Sequence, residues 1–260
     1  MNQASSLHTA AQQGFSNEAQ AYSRGRPEYP QGLQAWLRDA LGLGPGCQAV
    51  DLGAGTGKFT RLLVNSGASV VAVEPVDAMR AQLQKALPGI EALAGQAEAM
   101  PLPTASADVL VCAQAFHWFA NAQALAEIHR VLRPGAKLGL VWNVRDESCD
   151  WVRAITEIIT PYEGDAPRFY KGEWRRPFEG AAFTALQLST FDHAHQGSPQ
   201  EVIIDRFLSV SFIAALPPGQ KSHVESQLRT LIDTHPALRG REHLTFPYRT
   251  EAYLAGRLGA

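Results

Sequence analysis

Five short apolar runs punctuate the first 143 residues, at 47–52, 69–75, 90–95, 107–115 and 137–143. None shows the apolar/polar alternation of a half-exposed strand. Continuous runs of this length fit parallel strands covered on both faces. Helical periodicity fills the gaps at 57–66, 77–87 and 121–132. In the last of these, Leu125, Ile128, Val131 and Leu132 fall on one face, and an Arg-Pro-Gly sequence stops the pattern. Strands and helices that alternate through short connections predict a doubly wound α/β sheet.

After Asn143 the rhythm changes. The pattern predicts a helix over 150–162, a loop rich in aromatics, arginine and proline over 163–180, and a strand over 184–196. A helix over 198–216 follows, with Ser198 as N-cap and Pro199 in its first turn. A Pro-Pro-Gly break, a helix over 219–234 and a final strand within 241–256 close the chain. Residues 17–41 predict an irregular arm leading into a helix. The organisation expected is one domain over 1–260: an arm and helix (1–45), a ligand-binding half (46–143), an inserted lid (144–182) and C-terminal strands and helices (183–260).

Composition narrows the function classes. Hydrophobic residues make up 45% of the 260, enough for a substantial core. Net charge is −2 and no segment is strongly basic, which argues against a nucleic-acid partner. Cys47, Cys112 and Cys149 are far apart and form no Cys-x-x-Cys pair, so neither a metal site nor a disulfide framework is expected. The N-terminus lacks the basic and apolar regions of a secretory signal, and no run of about 18 apolar residues occurs. These readings predict a cytoplasmic protein without a membrane partner, monomeric or homodimeric.

The candidate chemistry begins in Ala-Val-Asp-Leu-Gly-Ala-Gly-Thr-Gly-Lys-Phe-Thr, residues 49–60. A Walker phosphate loop ending at Gly57-Lys58 would need glycine at Leu52 and a hydroxyl at Phe59. A dinucleotide turn starting at Gly53 would need glycine at Lys58. Both readings fail. The pattern is Asp51, Gly53, Gly55, Gly57, with an acid ahead of the first glycine. A carboxylate there repels a pyrophosphate and favours a cationic adenosine ligand. Glu74 closes the next apolar run, 19 residues past Gly55, where an acid accepts hydrogen bonds from ribose hydroxyls.

With that pair in place, the chain resembles the class I S-adenosylmethionine-dependent methyltransferases. Val-Asp-Leu-Gly-Ala-Gly-Thr-Gly-Lys-Phe-Thr is similar to the glycine motif, Val-Val-Ala-Val-Glu-Pro to the ribose-binding strand end, and Gly-Gln-Ala-Glu-Ala-Met-Pro-Leu-Pro to the adenine-flanking motif. Residues 107–119 and 131–143 resemble the fourth-strand motif and the helix and strand after it. The arm Tyr-Ser-Arg-Gly-Arg-Pro-Glu-Tyr-Pro, with Ala-Phe-His-Trp-Phe and Leu-Val-Trp-Asn, is similar to a small-molecule subgroup that includes trans-aconitate methyltransferase-like proteins.

The resemblance implies a Rossmann-like sheet of seven strands with the last antiparallel, and S-adenosylmethionine as cofactor, leaving as S-adenosylhomocysteine. Gly53, Gly55 and Gly57 would let the backbone approach it. Asp51 would orient its amino-acid part, Glu74 its ribose, and Pro75, Ala97 and Glu98 its adenine. Ala113 and Gln114 would lie under the methionine chain, with Tyr22 and Arg26 closing over the carboxylate. His117 is the catalytic candidate, as a base or as a hydrogen-bond donor. Trp118 and Asn143, with Trp151, Arg175 and Arg176 from the insertion, would meet the substrate; the insertion also carries Phe169, Tyr170, Trp174 and Arg168, aromatics that would shape a pocket and a further arginine that would pair with a carboxylate. That substrate is expected to be a small organic metabolite, with a carboxylate among the candidates. The alternatives are methylation of RNA or protein, or a catalytically silent cofactor-binding protein. An Asn-Pro-Pro-Tyr type motif, expected for nucleobase or glutamine amino groups, does not follow the fourth strand.

Overall fold

The computed structural model describes residues 26–259. Seven strands form one sheet: β1 (Gln48–Leu52), β2 (Ser69–Val73), β3 (Glu91–Leu93), β4 (Ala107–Ala113), β5 (Leu132–Arg145), β6 (Gln187–Gly197) and β7 (Leu244–Gly256). Their order is β3-β2-β1-β4-β5-β7-β6. β7 runs antiparallel to both β5 and β6, and the pairs from β3 through β5 are parallel. The expected sheet, with its antiparallel last strand, is therefore the one formed. The chain winds outward from β1 to β3, then returns to β4 on the other side of β1. That reversal places a topological switch point between β1 and β4, where open α/β sheets bind ligands at their carboxyl ends.

Neighbouring strand residues divide between two cores. Val50 and Leu110 pack with α4 (Ala122–Val131), whereas Ala49, Val109 and Val111 pack with α1 (Gly32–Asp39) and α2 (Lys58–Asn65); α3 (Asp77–Ala86) sets Leu83 against Ala54 and Ala72. A strand period of two buries both faces, which is why these runs show no alternation. Asn121 caps α4 by accepting the Ala124 amide at 2.8 Å. A third core joins α5 (Asp150–Ile159) and α6 (Pro218–Thr234) to Val202, Ile203, Phe207 and Ile213.

Several boundaries differ from the sequence expectation. β2 ends at Val73, so Glu74 and Pro75 lie just beyond it. β4 ends at Ala113, because Gln114 takes φ 58°, a left-handed conformation that breaks the strand. β5 starts at Leu132 and runs on to Arg145. The helix expected over 198–216 is broken. It begins with Ser198 and Glu201 in a reciprocal capping box and continues as a π-type turn at Gln200–Asp205. The Ser209 hydroxyl then takes the Arg206 carbonyl at 2.8 Å, and Val210 leaves in an extended conformation.

Candidate functional site

The three glycines of the first turn have φ of 71°, 56° and 83°, and they serve different ends. A Cβ on Gly53 would come within 2.7 Å of Ala115 Cβ, and one on Gly57 within 2.8 Å of Leu83 Cγ. Those two positions let the turn sit down on the protein. A Cβ on Gly55 would meet nothing within 4 Å. Gly55 therefore faces open space, and it lines a cleft with Asp51, Gly53, Ala54, Ala113 and Gln114.

Two acids frame this turn. Asp51 is fully buried; its Oδ2 accepts the Thr60 hydroxyl at 2.6 Å, and its Oδ1 has no partner. Burial, with Glu74 adding to it, pushes its pKa up to about 7, although the Thr60 bond pulls the other way. Glu74 is also buried, and each oxygen accepts a backbone amide: Gly55 N to Oε2 and Val76 N to Oε1, both at 2.8 Å. Burial raises its pKa as well, opposed by these two bonds. Glu74 thus clamps the glycine turn to the end of β2, a link the sequence did not reveal.

A second cavity adjoins the cleft. The two share Arg26, Gln114, Asn143 and Arg206 as lining residues. The second is further lined by His117, Trp118, Trp142, Arg145, Glu147 and Arg168. Gln114, held with its amide on Val141 O at 2.7 Å, is the strained strand end that faces both. The start of the described chain closes over this junction. Lys58 Nζ donates to Arg26 O at 2.5 Å and pairs with Glu28 at 3.0 Å; Asn143 Nδ2 donates to Glu28 O at 2.9 Å. Lys58, occupying the third-glycine place of a dinucleotide turn, is the anchor of this segment. Tyr22 lies outside the described residues.

His117 sits in a 3-10 turn after β4. Trp142 Nε1–H can only donate, and it points at His117 Nδ1 at 3.1 Å. The Nδ1 lone pair is therefore engaged, and the neutral ring carries its proton on Nε2. Burial first, then Arg168 and Arg26, lower the His117 pKa to about 3. The ring is a fixed neutral donor at physiological pH. Of the two roles open to it in sequence, the geometry supports the donor and not the base.

Other expected residues fall elsewhere. Pro75, Ala97 and Glu98 lie past the ends of β2 and β3, outside the lining of the cleft, with Glu98 accepting from Asn121 Nδ2 at 2.8 Å. Three expected substrate contacts are corrected. Trp151 is buried in the third core, edge-on to Phe246 at 5.0 Å. Arg175 lies over the Trp174 ring at 4.2 Å and donates to the Tyr253 hydroxyl at 2.8 Å. Arg176 is 75% exposed beside Glu173. The aromatics of the insertion are mainly core: Trp174 is 2% exposed and stacks on Phe169. What the sequence reading missed are Arg145 and Arg206. Arg145 ends β5, on the ligand-binding edge of the sheet, and Arg206 interrupts the apolar run Val-Ile-Ile-Asp-Arg-Phe-Leu. A charge at a buried helical period is a detectable signal.

Comparisons with known proteins bear on the chain as a whole. Residues 50–140 match the family model described as a methyltransferase domain. An uncharacterized methyltransferase of Mycobacterium tuberculosis (strain ATCC 25618 / H37Rv) is 41% identical over 236 residues, 91% of this chain and 92% of its own length. A solved structure from Anaeromyxobacter dehalogenans, named as a candidate type II methyltransferase, superposes with a TM-score of 0.63 at 26% identity, covering 90% of this chain and 99% of its own. A phosphoethanolamine N-methyltransferase of Haemonchus contortus, solved with phosphomonomethylethanolamine and S-adenosylhomocysteine, shares the fold alone, with a TM-score of 0.54 at 13% identity over 96% of this chain and 56% of that one.

Proposed function

The chain belongs to the class I S-adenosylmethionine-dependent methyltransferases, and from that premise we propose that it methylates a small organic metabolite on a carboxylate oxygen. S-adenosylmethionine is the cofactor, and the cleft suits it. The unpartnered Asp51 Oδ1 fits an ammonium group, Gly55 leaves room for close approach, and Arg26 stands where a carboxylate can be met. Glu74, Pro75, Ala97 and Glu98 would serve the ribose and adenine. Once bound, the cofactor supplies a methyl group already activated on a sulfonium.

The observation that carries the proposal is the second cavity, which shares a wall with the cleft and is lined by four arginines, Arg26, Arg145, Arg168 and Arg206. A carboxylate is ionised at pH 7 and needs no base to become a nucleophile. His117, as a neutral donor, orients the acceptor without taking a proton. Trp118 and Trp142 supply walls, and the chain segment tied to Lys58 and Asn143 helps exclude water. The test is methyl transfer from labelled cofactor across a panel of small acids, phenols and amines. Turnover of acids is expected. Turnover of amines or phenols with acids ignored would refute the proposal.

A further inference from the structure

Three of the arginines lining the second cavity are short of partners. Arg206 is 8% exposed; its Nε donates to the Tyr248 hydroxyl at 3.3 Å, and its Nη1 has no hydrogen-bond partner. Arg168 Nε also lacks one. Its nearest carboxylate, Glu163 at 3.5 Å, is already engaged by Lys171 at 2.7 Å and by the Tyr170 hydroxyl at 2.7 and 2.8 Å. The ion pair of Arg145 is loose, 3.8 Å to Glu147, and its guanidinium lies over the Phe207 ring at 5.6 Å. The three also repel one another: Arg206 and Arg168 help burial lower the Arg145 pKa to about 10.

Buried guanidinium groups without matching carboxylates are costly to keep, and their forked donors suit planar or tetrahedral oxyanions. The charges can be counted. Among the described residues, Arg145, Arg168 and Arg206 face one lining carboxylate, Glu147, because Glu163 is balanced by Lys171. Two positive charges remain, with Arg26 reserved for the cofactor side. A single carboxylate cannot balance them.

We infer, resting on the reading of this cavity as the acceptor site, that the acceptor is a small dianion. One anionic group is gripped by Arg145, Arg168 and Arg206. The other, a carboxylate, lies at the shared wall beside Gln114 and Asn143. One of its oxygens forms the new C–O bond with its own lone pair. The donor C–S bond breaks with its pair on sulfur, leaving a neutral thioether, and no proton moves. The ester carries one negative charge fewer than the acceptor, so the arginines hold the product less tightly than the substrate.

The experiment uses the full chain saturated with S-adenosylhomocysteine, titrated calorimetrically with butyrate, succinate and 3-phosphonopropionate, alongside methyl-transfer assays of the same three. At least one of the two dianions is expected to bind ten-fold or more tighter than butyrate. Which one wins tells whether the gripped group is a carboxylate or a phosphate type. Arg145→Gln, Arg168→Gln and Arg206→Gln are each expected to weaken dianion binding roughly 10- to 100-fold and to shrink the preference over butyrate. S-adenosylhomocysteine affinity reports whether each variant is folded, and exposed Arg241→Ala is the control. Butyrate binding and turning over as well as the dianions would overturn this inference and leave carboxylate methylation standing. A preference that persists in all three variants would overturn the arginine assignment. Failure of all three acids to bind or turn over, with amines or phenols methylated, would overturn both readings.

Discussion

On the proposal that Asp51 Oδ1 receives the cofactor's ammonium group, cofactor affinity is expected to depend on pH. The Asp51 pKa of about 7, against an ordinary 3.8, corresponds to about 4 kcal/mol held against ionisation in the folded state. The sign follows from proton counts. Between about pH 4 and 7 the folded chain keeps a proton here that the unfolded chain has lost, so this group's contribution to stability falls as pH rises through that window. Above pH 7 the fold carries a buried carboxylate satisfied on Oδ2 by Thr60 and unsatisfied on Oδ1. An ammonium group delivered to Oδ1 would relieve that state.

Binding of S-adenosylhomocysteine, which carries such an ammonium, must therefore expel the proton wherever Asp51 holds one. Affinity should be level above pH 8, then fall by about one decade per pH unit below 7: roughly 10-fold by pH 6 and 100-fold by pH 5. Calorimetry from pH 5 to 8.5 reads this directly. Buffers of different ionisation enthalpy should report close to one proton released per site at the acid end. Asp51→Asn should abolish the slope, weaken binding at pH 8, and leave the cofactor-free protein more heat-stable at pH 8 than wild type. A wild-type affinity flat between pH 5.5 and 8 would refute the reasoning. So would a slope that survives in Asp51→Asn, since it would then belong to Glu74, whose pKa is raised in the same direction.

The glycine turn separates packing from access. Gly55→Ala should fold at a cost of about 1–2 kcal/mol for its left-handed backbone yet lose more than ten-fold in S-adenosylhomocysteine affinity. Gly57→Ala adds a clash with Leu83 and should lower Tm further; equal Tm losses would contradict the assignment. For His117, the pH profile of kcat should show no break between 6 and 9 attributable to the imidazole, and His117→Gln should retain more activity than His117→Ala. A break near 6.5 that disappears in both variants would restore the histidine as a base.

The glycine turn and its acids were legible because their chemistry is local. Asp51, Gly53, Gly55 and Gly57 lie within seven residues, and the strand before them is a continuous apolar run. Glu74 was found from its strand end, but its grip on the Gly55 and Val76 amides is a tertiary fact with no mark in sequence. The insertion misled for a physical reason. An aromatic that seals a core and one that walls a pocket are the same residue type, and Trp174 and Trp151 are of the first kind. Arg175 and Arg176 were drawn in by proximity to those aromatics, yet one is spent on Trp174 and Tyr253 and the other on solvent.

The arginines that line the second cavity come from four separate segments: before α1, at the end of β5, in the loop after α5, and in the broken helix near 206. Arg26 and Arg168 were drawn to the site by the resemblance, Arg145 taken alone reads as an ordinary surface arginine, and Arg206 stands out by interrupting an apolar run. The switch point between β1 and β4 explains why they converge. It places the second cavity next to the glycine-turn cleft at the carboxyl edge of the sheet, so charge that reaches that edge from any connection lands in the same space. Gln114 marks the junction. Its left-handed backbone ends β4 abruptly and sets its side chain on the wall common to both cavities. In the proposed reaction that strain lies where donor and acceptor would be held in line, the place where a methyl transfer needing no base depends most on rigid positioning.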